Sequence, residues 1–405
     1  MQLIVIGGGA AGFFCAVNAA RLNRSLHVTI IEKNNKVLSK VRISGGGRCN
    51  VTHACFSLPE MIKKYPRGEN FVKKTFHQFF TEDTIAWFLE RGVRLKTEAD
   101  GRMFPISDSS ETIVECLRKE SQKYGVVVQT NTEVKAVSRE GHLWQLQLYD
   151  GGSVYADRLC IACGGYPKDA MFKWITDIGH TIEPPVPSLF TFNMPSNAIT
   201  RLMGVTTRAV VKIQGTKFEE DGAVLITHWG LSGPAVLKLS ARAARTLNSV
   251  NYRFNVIVNW CPGYNEQSIR EKITDWRLQH PAQKIFNGNF FGMPQRLWEH
   301  VVVTSGIDEH LRWSDLPTQK QNLLVRQLCT NEMAVEGKTT YKEEFVTAGG
   351  VKLTEIDPAT MQSRKASGLY FAGEIMDVDG LTGGFNFQHA WTSGWIAAKS
   401  IAASV

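Results

Sequence analysis

No apolar run in the 405 residues approaches the ~18–20 residues that a membrane-spanning helix needs. The first strand-like run begins at Gln2 or Leu3. That leaves no room for a leader peptide, so a cytoplasmic protein without a membrane role is expected. The eight cysteines are scattered and make no disulfide framework for such a chain. One Cys-x-x-Cys occurs, Cys160 to Cys163, but it lies in an apolar run that reads as a buried strand. Redox pairs sit instead at helix N-termini, where the thiol pKa falls. No four zinc ligands stand at metal spacing, so no metal site is expected. There is no internal repeat, no low-complexity segment and no nucleophile–base triad. Nor is there a second G-x-G-x-x-G, which argues against a separate NAD(P)H domain.

What the chain does contain is ordinary in bulk: 43% hydrophobic and 21% charged residues, as in globular proteins. Its length suits two or three domains. The net charge of +8 points to an anionic cofactor, an anionic substrate or a nucleic acid. One basic group is Lys33, Lys36, Lys40, Arg42 and Arg48. A second, Lys63, Lys64, Arg67, Lys73 and Lys74, reads as solvated surface.

The most informative stretch is the first. Leu3 to Ile6 is apolar, and Gly7-Gly8-Gly9-Ala10-Ala11-Gly12 follows, matching G-x-G-x-x-G at Gly7, Gly9 and Gly12. A helical stretch runs on to Leu22, and a second strand, His27 to Ile31, ends at Glu32. A strand, a glycine turn, a helix and a later acid form the context that this motif requires. Gly7 makes the turn, Gly9 admits a pyrophosphate, and Gly12 lets the helix pack on the sheet. The helix N-terminus presents unpaired N–H groups to the phosphates. The carboxylate of Glu32 accepts from ribose hydroxyls.

Asn34 to Asn50 reads as a loop ending in Ser44-Gly45-Gly46-Gly47-Arg48-Cys49-Asn50. Its bare main chain suits a second stretch of one extended anionic ligand. Thr81 is the expected cap of a helix to Arg91, with acids in the first turn. Gly101 to Pro105 reads as a turn and Ser109 to Tyr124 as an amphipathic helix. Val126 to Gln129 is a strand, and a β-meander follows over 134–156. The strand Arg158 to Ala162 runs into Gly164-Gly165, a close-approach point. The proline cluster Glu183 to Pro187 marks a domain boundary. Beyond it come strands, then helices over 265–279, 294–302 and 318–328. His228 to Pro234 leads into a helix, with Pro234 at its first position. The chain returns to glycine-rich strand sequence at Phe345 to Val351 and Gly368 to Glu374. A last helix, rich in small residues, is entered through Gly383-Gly384-Phe385-Asn386.

The glycine motif alone does not separate NAD from FAD. A second glycine-rich helix entry at the far end, with glycine pairs at 164–165 and 349–350, favours the longer FAD. A positive helix end near Asn386 would stabilise negative charge on a reduced flavin. These motifs together (Val5 to Gly12, Lys40 to Asn50, Gly101 to Pro105, Ile226 to Pro234, Phe345 to Val351 and Gly368 to Gln388) resemble a bacterial family of FAD-dependent oxidoreductases. That family includes aminoacetone oxidase and bile-acid-pathway flavoprotein reductases. The resemblance implies an α/β fold: a Rossmann-like FAD-binding domain, 1–187 and 344–405, split by an inserted β-rich, barrel-like module. The insert spans 188–343, with β-rich parts 188–262 and 330–343 and a small helical subdomain at 263–329. It also implies that Gly7, Gly9, Ala10, Ala11 and Gly12 hold the pyrophosphate. Glu32, with Lys33 beside it, is assigned the ribose, and Val134 the adenine through its backbone. Lys40, Ser44, Gly45, Gly46, Arg48, Cys49 and Asn50 would line the flavin side. Gly164, Gly165, Gly373, Glu374, Gly383, Gly384, Phe385 and Asn386 would join them. His389 departs from the family's pattern.

Flavin carries its own redox chemistry, so the protein need only orient and polarise. His228 and His389 are the candidates for a general acid or base. The favoured function is oxidation or reduction of a small molecule, as an oxidase or an NAD(P)H-dependent reductase. The alternatives are a flavoprotein acting on RNA and a non-catalytic flavin sensor.

Overall fold

The computed structural model describes residues 1–339 and 346–404. Phe345 and the expected module boundary at 343–344 lie outside the described residues. The chain divides into two compact units, Met1–Ser188 with Lys342–Val405, and Leu189–Tyr341.

The first unit is built on a parallel five-stranded sheet. Its order is Leu369–Phe371, Arg158–Ile161, Gln2–Ile6, His27–Ile31 and Val127–Gln129. Gln2–Ile6 is central and covered on both faces, which is why it reads as a continuous apolar run rather than an alternating one. The helix Ala10–Leu22 is buried from Ala10 through Ala20, because the last helix, Phe385–Ala403, packs against it. Small residues set that approach. A Cβ on Gly394 would lie 2.8 Å from the Ala11 carbonyl oxygen. Phe14 fills the space beside the crossing, with ring centroids 4.6 Å from Trp87 and 5.2 Å from Trp391.

Two expected local features differ, and a third acquires a partner. Gly101 to Pro105 is not a turn alone: Arg102–Pro105 is the middle strand of a small sheet with Thr52–His53 and Leu95–Thr97. The 183–187 proline cluster, read as a boundary, is itself part of a strand. It lies in the strand Ile182–Ser188, antiparallel to Val346–Val351; of its three prolines, Pro184 and Pro185 sit where the register shifts, so the ladder does not need their missing N–H groups. Thr81 does not cap its helix. Phe80 holds that position, and the Asp83 carboxylate accepts from the Phe80 N–H at 2.6 Å.

The second unit is a seven-stranded sheet carrying helices. Its two end strands, Asn331–Glu336 and Lys338–Thr339, are consecutive in the chain. Gly337 joins them, donating to the Tyr252 carbonyl at 2.9 Å and accepting from the Asn193 N–H at 3.1 Å. The sheet therefore curls back on itself. The helices Glu266–Gln279, Gln295–Thr304 and Thr318–Cys329 share its core.

Candidate functional site

The glycines of the first turn divide by what surrounds them. Gly7 has φ +113°, and a Cβ there would lie 2.4 Å from the Ala162 carbonyl oxygen. A Cβ on Gly12 would lie 1.9 Å from the Gly7 carbonyl oxygen. Both are demanded by the protein's own packing. Gly9 is different: a Cβ there would meet nothing within 4 Å. Gly9 is the N-cap of the first helix, and no side chain caps that helix. The helix's own bonding begins with the Phe13 N–H, which donates to Gly9. The N–H groups of Ala10, Ala11 and Gly12 are left over, as at any helix start. Gly46, Gly47 and Gly164 also face open space, whereas Gly165 is packed on Thr347.

Glu32 stands at the end of the second strand, beside this turn. One carboxylate oxygen accepts from the Gly8 N–H at 2.8 Å. The other accepts from the Asn34 backbone N–H at 2.9 Å and from its side-chain amide at 2.7 Å. Its first role is thus to clamp the turn, and the remaining lone pairs stay available. The Lys33 ammonium lies 5.9 Å from the Tyr166 ring centroid. Val134 opens the edge strand of the meander sheet, whose outer main-chain groups no further strand claims.

Asn34 to Asn50 is less loop-like than expected. Helical turns over Ser39–Gly47 are broken at Ser44, Gly45 and Gly46. Gly45, Gly46, Gly47 and Cys49 all have positive φ, so this stretch needs its glycines. Several donors here are already spent. The Ser44 hydroxyl donates to the Val41 carbonyl at 3.1 Å. The Arg48 guanidinium pairs with Glu98 at 2.5 Å and lies 4.0 Å over the Phe104 ring. Burial pushes the Cys49 thiol up to about 12, so it is no thiolate nucleophile. With its amide oriented to satisfy both neighbours, Asn50 donates to the Thr52 carbonyl and accepts from the Gly384 N–H, each at 3.0 Å.

The far end of the chain meets this stretch. Lys40 pairs with Glu374 at 2.6 Å, and the other Glu374 oxygen accepts from the Thr347 N–H at 2.9 Å. The Gly373 N–H donates to the Ser393 hydroxyl at 2.9 Å. Asn386 clasps Gly380 through both its amide atoms; that use of its side chain was not legible in the sequence. Gly383 and Gly384 have positive φ, and a Cβ on Gly384 would collide with the Thr52 carbonyl. Phe385 faces His53 at 4.7 Å between ring centroids. His53 Nδ1 sits 3.0 Å from the Gly383 carbonyl oxygen. Sequence reasoning missed His53, although its position three residues after Asn50 was a usable signal.

Of the two candidate histidines, His228 is exposed in the second unit, its ring tilted against Trp229 with centroids 4.5 Å apart. His389 is only 3% exposed, and neither ring nitrogen has a hydrogen-bond partner. Burial pulls it down to about 4, against a smaller opposing pull from the nearby Gly373 backbone. Its ring is therefore neutral at physiological pH. Thr347 Oγ1 is another buried polar atom without a partner, and its backbone N–H is bonded to Glu374. Unpartnered polar atoms thus border Gly373 and Glu374.

A second polar cluster was invisible in sequence. Ser363 Oγ is 3.0 Å from His180 Nε2, and His180 Nδ1 is 3.1 Å from Glu355. This has the order of a hydrolytic triad. All three residues are buried, however, and Ser363 Oγ also accepts from the Lys365 and Ala366 N–H groups. The cluster staples distant segments. Among the described residues, no group of His, Cys, Asp and Glu is arranged to hold a metal. No described helix is long and apolar enough to cross a membrane.

The parallel sheet, the glycine turn at its centre and the acid closing the second strand define a Rossmann-type α/β protein with an inserted β-rich unit. The chain belongs to the HI0933-like protein Rossmann domain family, which it matches over residues 1–400. It is 29% identical over 412 residues to the 3-dehydro-bile acid delta(4,6)-reductase of Clostridium scindens, covering 98% of each chain. It is 30% identical over 418 residues to the ribosomal RNA dihydrouridine synthase of Escherichia coli, covering 99% of this chain and 98% of that one. Among solved structures, 3-ketosteroid delta1-dehydrogenase from Sterolibacterium denitrificans shares the fold. The TM-score is 0.54 at 14% identity, with 100% of this chain and 99% of that one covered.

Proposed function

We propose that this chain is a FAD-dependent reductase of carbon–carbon double bonds conjugated with a carbonyl. The observation that carries this reading is the full-length likeness to two kinds of relative with unlike substrates. Both names describe the saturation of such a bond, in a steroid dienone and in the uracil ring. The reaction adds a hydride and a proton across the bond. Bound FAD supplies the hydride chemistry, with NAD(P)H as the electron donor.

The first unit is the FAD-binding domain in this reading, and its residues fit the cofactor. The open space at Gly9 and the unspent N–H groups of the first helix suit a pyrophosphate. Glu32 faces the ribose, with Lys33 beside it. Val134 offers main-chain groups to the adenine. Gly46, Gly47 and Gly164 leave room along the flavin side, where the Lys40–Glu374 pair sets the local charge. Gly45, Gly165, Gly383 and Gly384 act one step back, by letting the backbone fold closely. Ser44, Arg48, Asn50 and Asn386 hold that backbone in place.

A uridine in RNA is the favoured substrate. The net charge of +8, more than half of which falls within 189–341, suits a polyanion. A free small molecule is the second reading, supported by the bile-acid relative. Both are tested together. The purified protein is reduced anaerobically with NADPH or NADH and followed by its visible flavin spectrum. It is then offered ribosomal RNA or a steroid dienone. The expected result is uridine gaining two hydrogens by mass spectrometry, with binding that weakens steeply in salt. Loss of dienone absorbance instead would select the small molecule. A colourless protein that cannot be reconstituted with FAD refutes the cofactor. A reduced flavin that neither acceptor reoxidises refutes the reaction.

A further inference from the structure

A pocket of about 670 Å³ lies in the first unit, away from the Gly9 opening. Its apolar lining comes from Phe13, Val37, Val126 and Val128. Three cations, Lys36, Arg42 and Arg118, stand around it, and Ser121, Gln122 and Thr130 add neutral hydrogen-bonding groups. The volume is that of a small-molecule site.

The pocket is walled off from the glycine turn. Val37 packs directly on Gly8, where an added Cβ would lie 2.8 Å from its methyl group. The Leu38 N–H donates to the Gly8 carbonyl at 2.8 Å. The segment 37–38 therefore has the turn on one side and the pocket on the other. Two residues further on, Lys40 goes to Glu374, while Arg42 goes to Glu111 on the helix Glu111–Lys123.

Arg42 is thus neutralised and anchored by Glu111. Lys36 and Arg118 have no acidic partner among the described residues. Both cations are exposed and stand beside an apolar floor. They match an anion attached to a flat, weakly polar body.

We infer that this pocket binds a nucleotide, with its base on the Val126–Val128 floor and its phosphate between Lys36 and Arg118. The inference is independent of the proposed reduction. Two sources share the chemistry, a free mononucleotide and a nucleotide of an RNA strand.

The test uses FAD-saturated protein, so that the cofactor's own adenylate cannot be mistaken for the ligand. AMP, inorganic phosphate and a short RNA oligonucleotide are titrated in by calorimetry. AMP is expected to bind at one site per chain, more tightly than phosphate. Lys36→Ala and Arg118→Ala, both at exposed residues, are each expected to weaken AMP about tenfold with flavin content unchanged. Val128→Asp, which charges the floor, should weaken AMP more than phosphate. An oligonucleotide that AMP displaces identifies RNA as the source, and one that AMP does not displace identifies the free nucleotide. The inference is overturned if FAD-loaded protein binds no AMP at millimolar concentration. It is also overturned if AMP binding is indifferent to the Lys36 and Arg118 variants, or if FAD and AMP displace each other one for one.

Discussion

Removing the Glu32 carboxylate separates the job seen in the fold, holding the glycine turn, from the proposed one, holding a ribose. In Glu32→Ala the Gly8 N–H, buried with its residue, loses its 2.8 Å acceptor. A buried donor left unsatisfied costs about 1–3 kcal/mol. The two Asn34 bonds are exposed, so water replaces them at a further cost of roughly 0.5 kcal/mol each. The cofactor-free protein should therefore lose about 2–4 kcal/mol. If the carboxylate also accepts from ribose hydroxyls, FAD affinity should fall about 100-fold or more, since hydrogen bonds to a charged group contribute roughly 1.5–3 kcal/mol each. Glu32→Gln keeps one acceptor but turns an NH₂ toward either Gly8 or Asn34, so it should fall between. Urea unfolding of the first unit reads the clamp, and quenching of flavin fluorescence reads the affinity. If Glu32→Ala is destabilised yet binds FAD like the wild type, Glu32 is only a clamp and the ribose assignment is wrong. If neither quantity moves, the geometry of the turn is misread.

The glycines offer a paired contrast. Gly12→Ala places a Cβ 1.9 Å from the Gly7 carbonyl oxygen and should abolish flavin retention together with folding. Gly9→Ala has room and an ordinary φ of −91°. It should fold with a normal circular dichroism spectrum while binding FAD at least about tenfold more weakly, because its methyl group enters the space assigned to the pyrophosphate. Wild-type flavin content in Gly9→Ala would remove that assignment. Acid should destabilise the first unit through the His180–Glu355 cluster. Burial lowers His180 against the pull of Glu355, so its contribution is present above the ordinary histidine range and lost as pH falls through its folded value. Glu355, opposed by burial but overcome by Lys365 and Thr181, is drawn down to about 2. Its contribution, about 3 kcal/mol at most, is present above its ordinary pKa and lost below it. Glu355→Gln should flatten the acid limb of a stability–pH curve, and an unchanged limb would exclude this cluster as its source.

Legibility in the sequence followed the range of the interaction. The strand–turn–helix at Gln2–Leu22 declares itself because every requirement lies within a few residues: apolar run, glycine, helix. The meander over 134–156 is equally local. Pairing is misread where the partner lies far along the chain, whereas the Thr81 cap is a local misreading, its place being taken by Phe80 with Asp83. Arg102–Pro105 looks like a turn until Thr52–His53 pairs with it. The 183–187 proline cluster reads only as a boundary, and the strand it forms is legible only once Val346–Val351 pairs with it.

The same rule separates the site residues. Ser44, Arg48, Asn50 and Asn386 are donors in a glycine-rich setting, so sequence assigns them to a ligand, whereas the fold spends them on Val41, Glu98, Thr52 and Gly380. Glycines divide likewise. Sequence cannot tell a glycine that makes room for the chain, as at Gly12 or Gly384, from one that makes room for something else. The direction in which an absent Cβ would point does tell them apart. At Gly9, Gly46, Gly47 and Gly164 it points into space that no protein atom fills within 4 Å. Gly92, Gly125 and Gly141 are equally open, but each follows the end of a helix or a strand in a tight turn, where positive φ alone calls for glycine. Gly9 has an ordinary negative φ and so lacks that excuse. The missing side chain there is accounted for neither by packing nor by backbone conformation, and the pyrophosphate proposed at the start of the first helix would account for it.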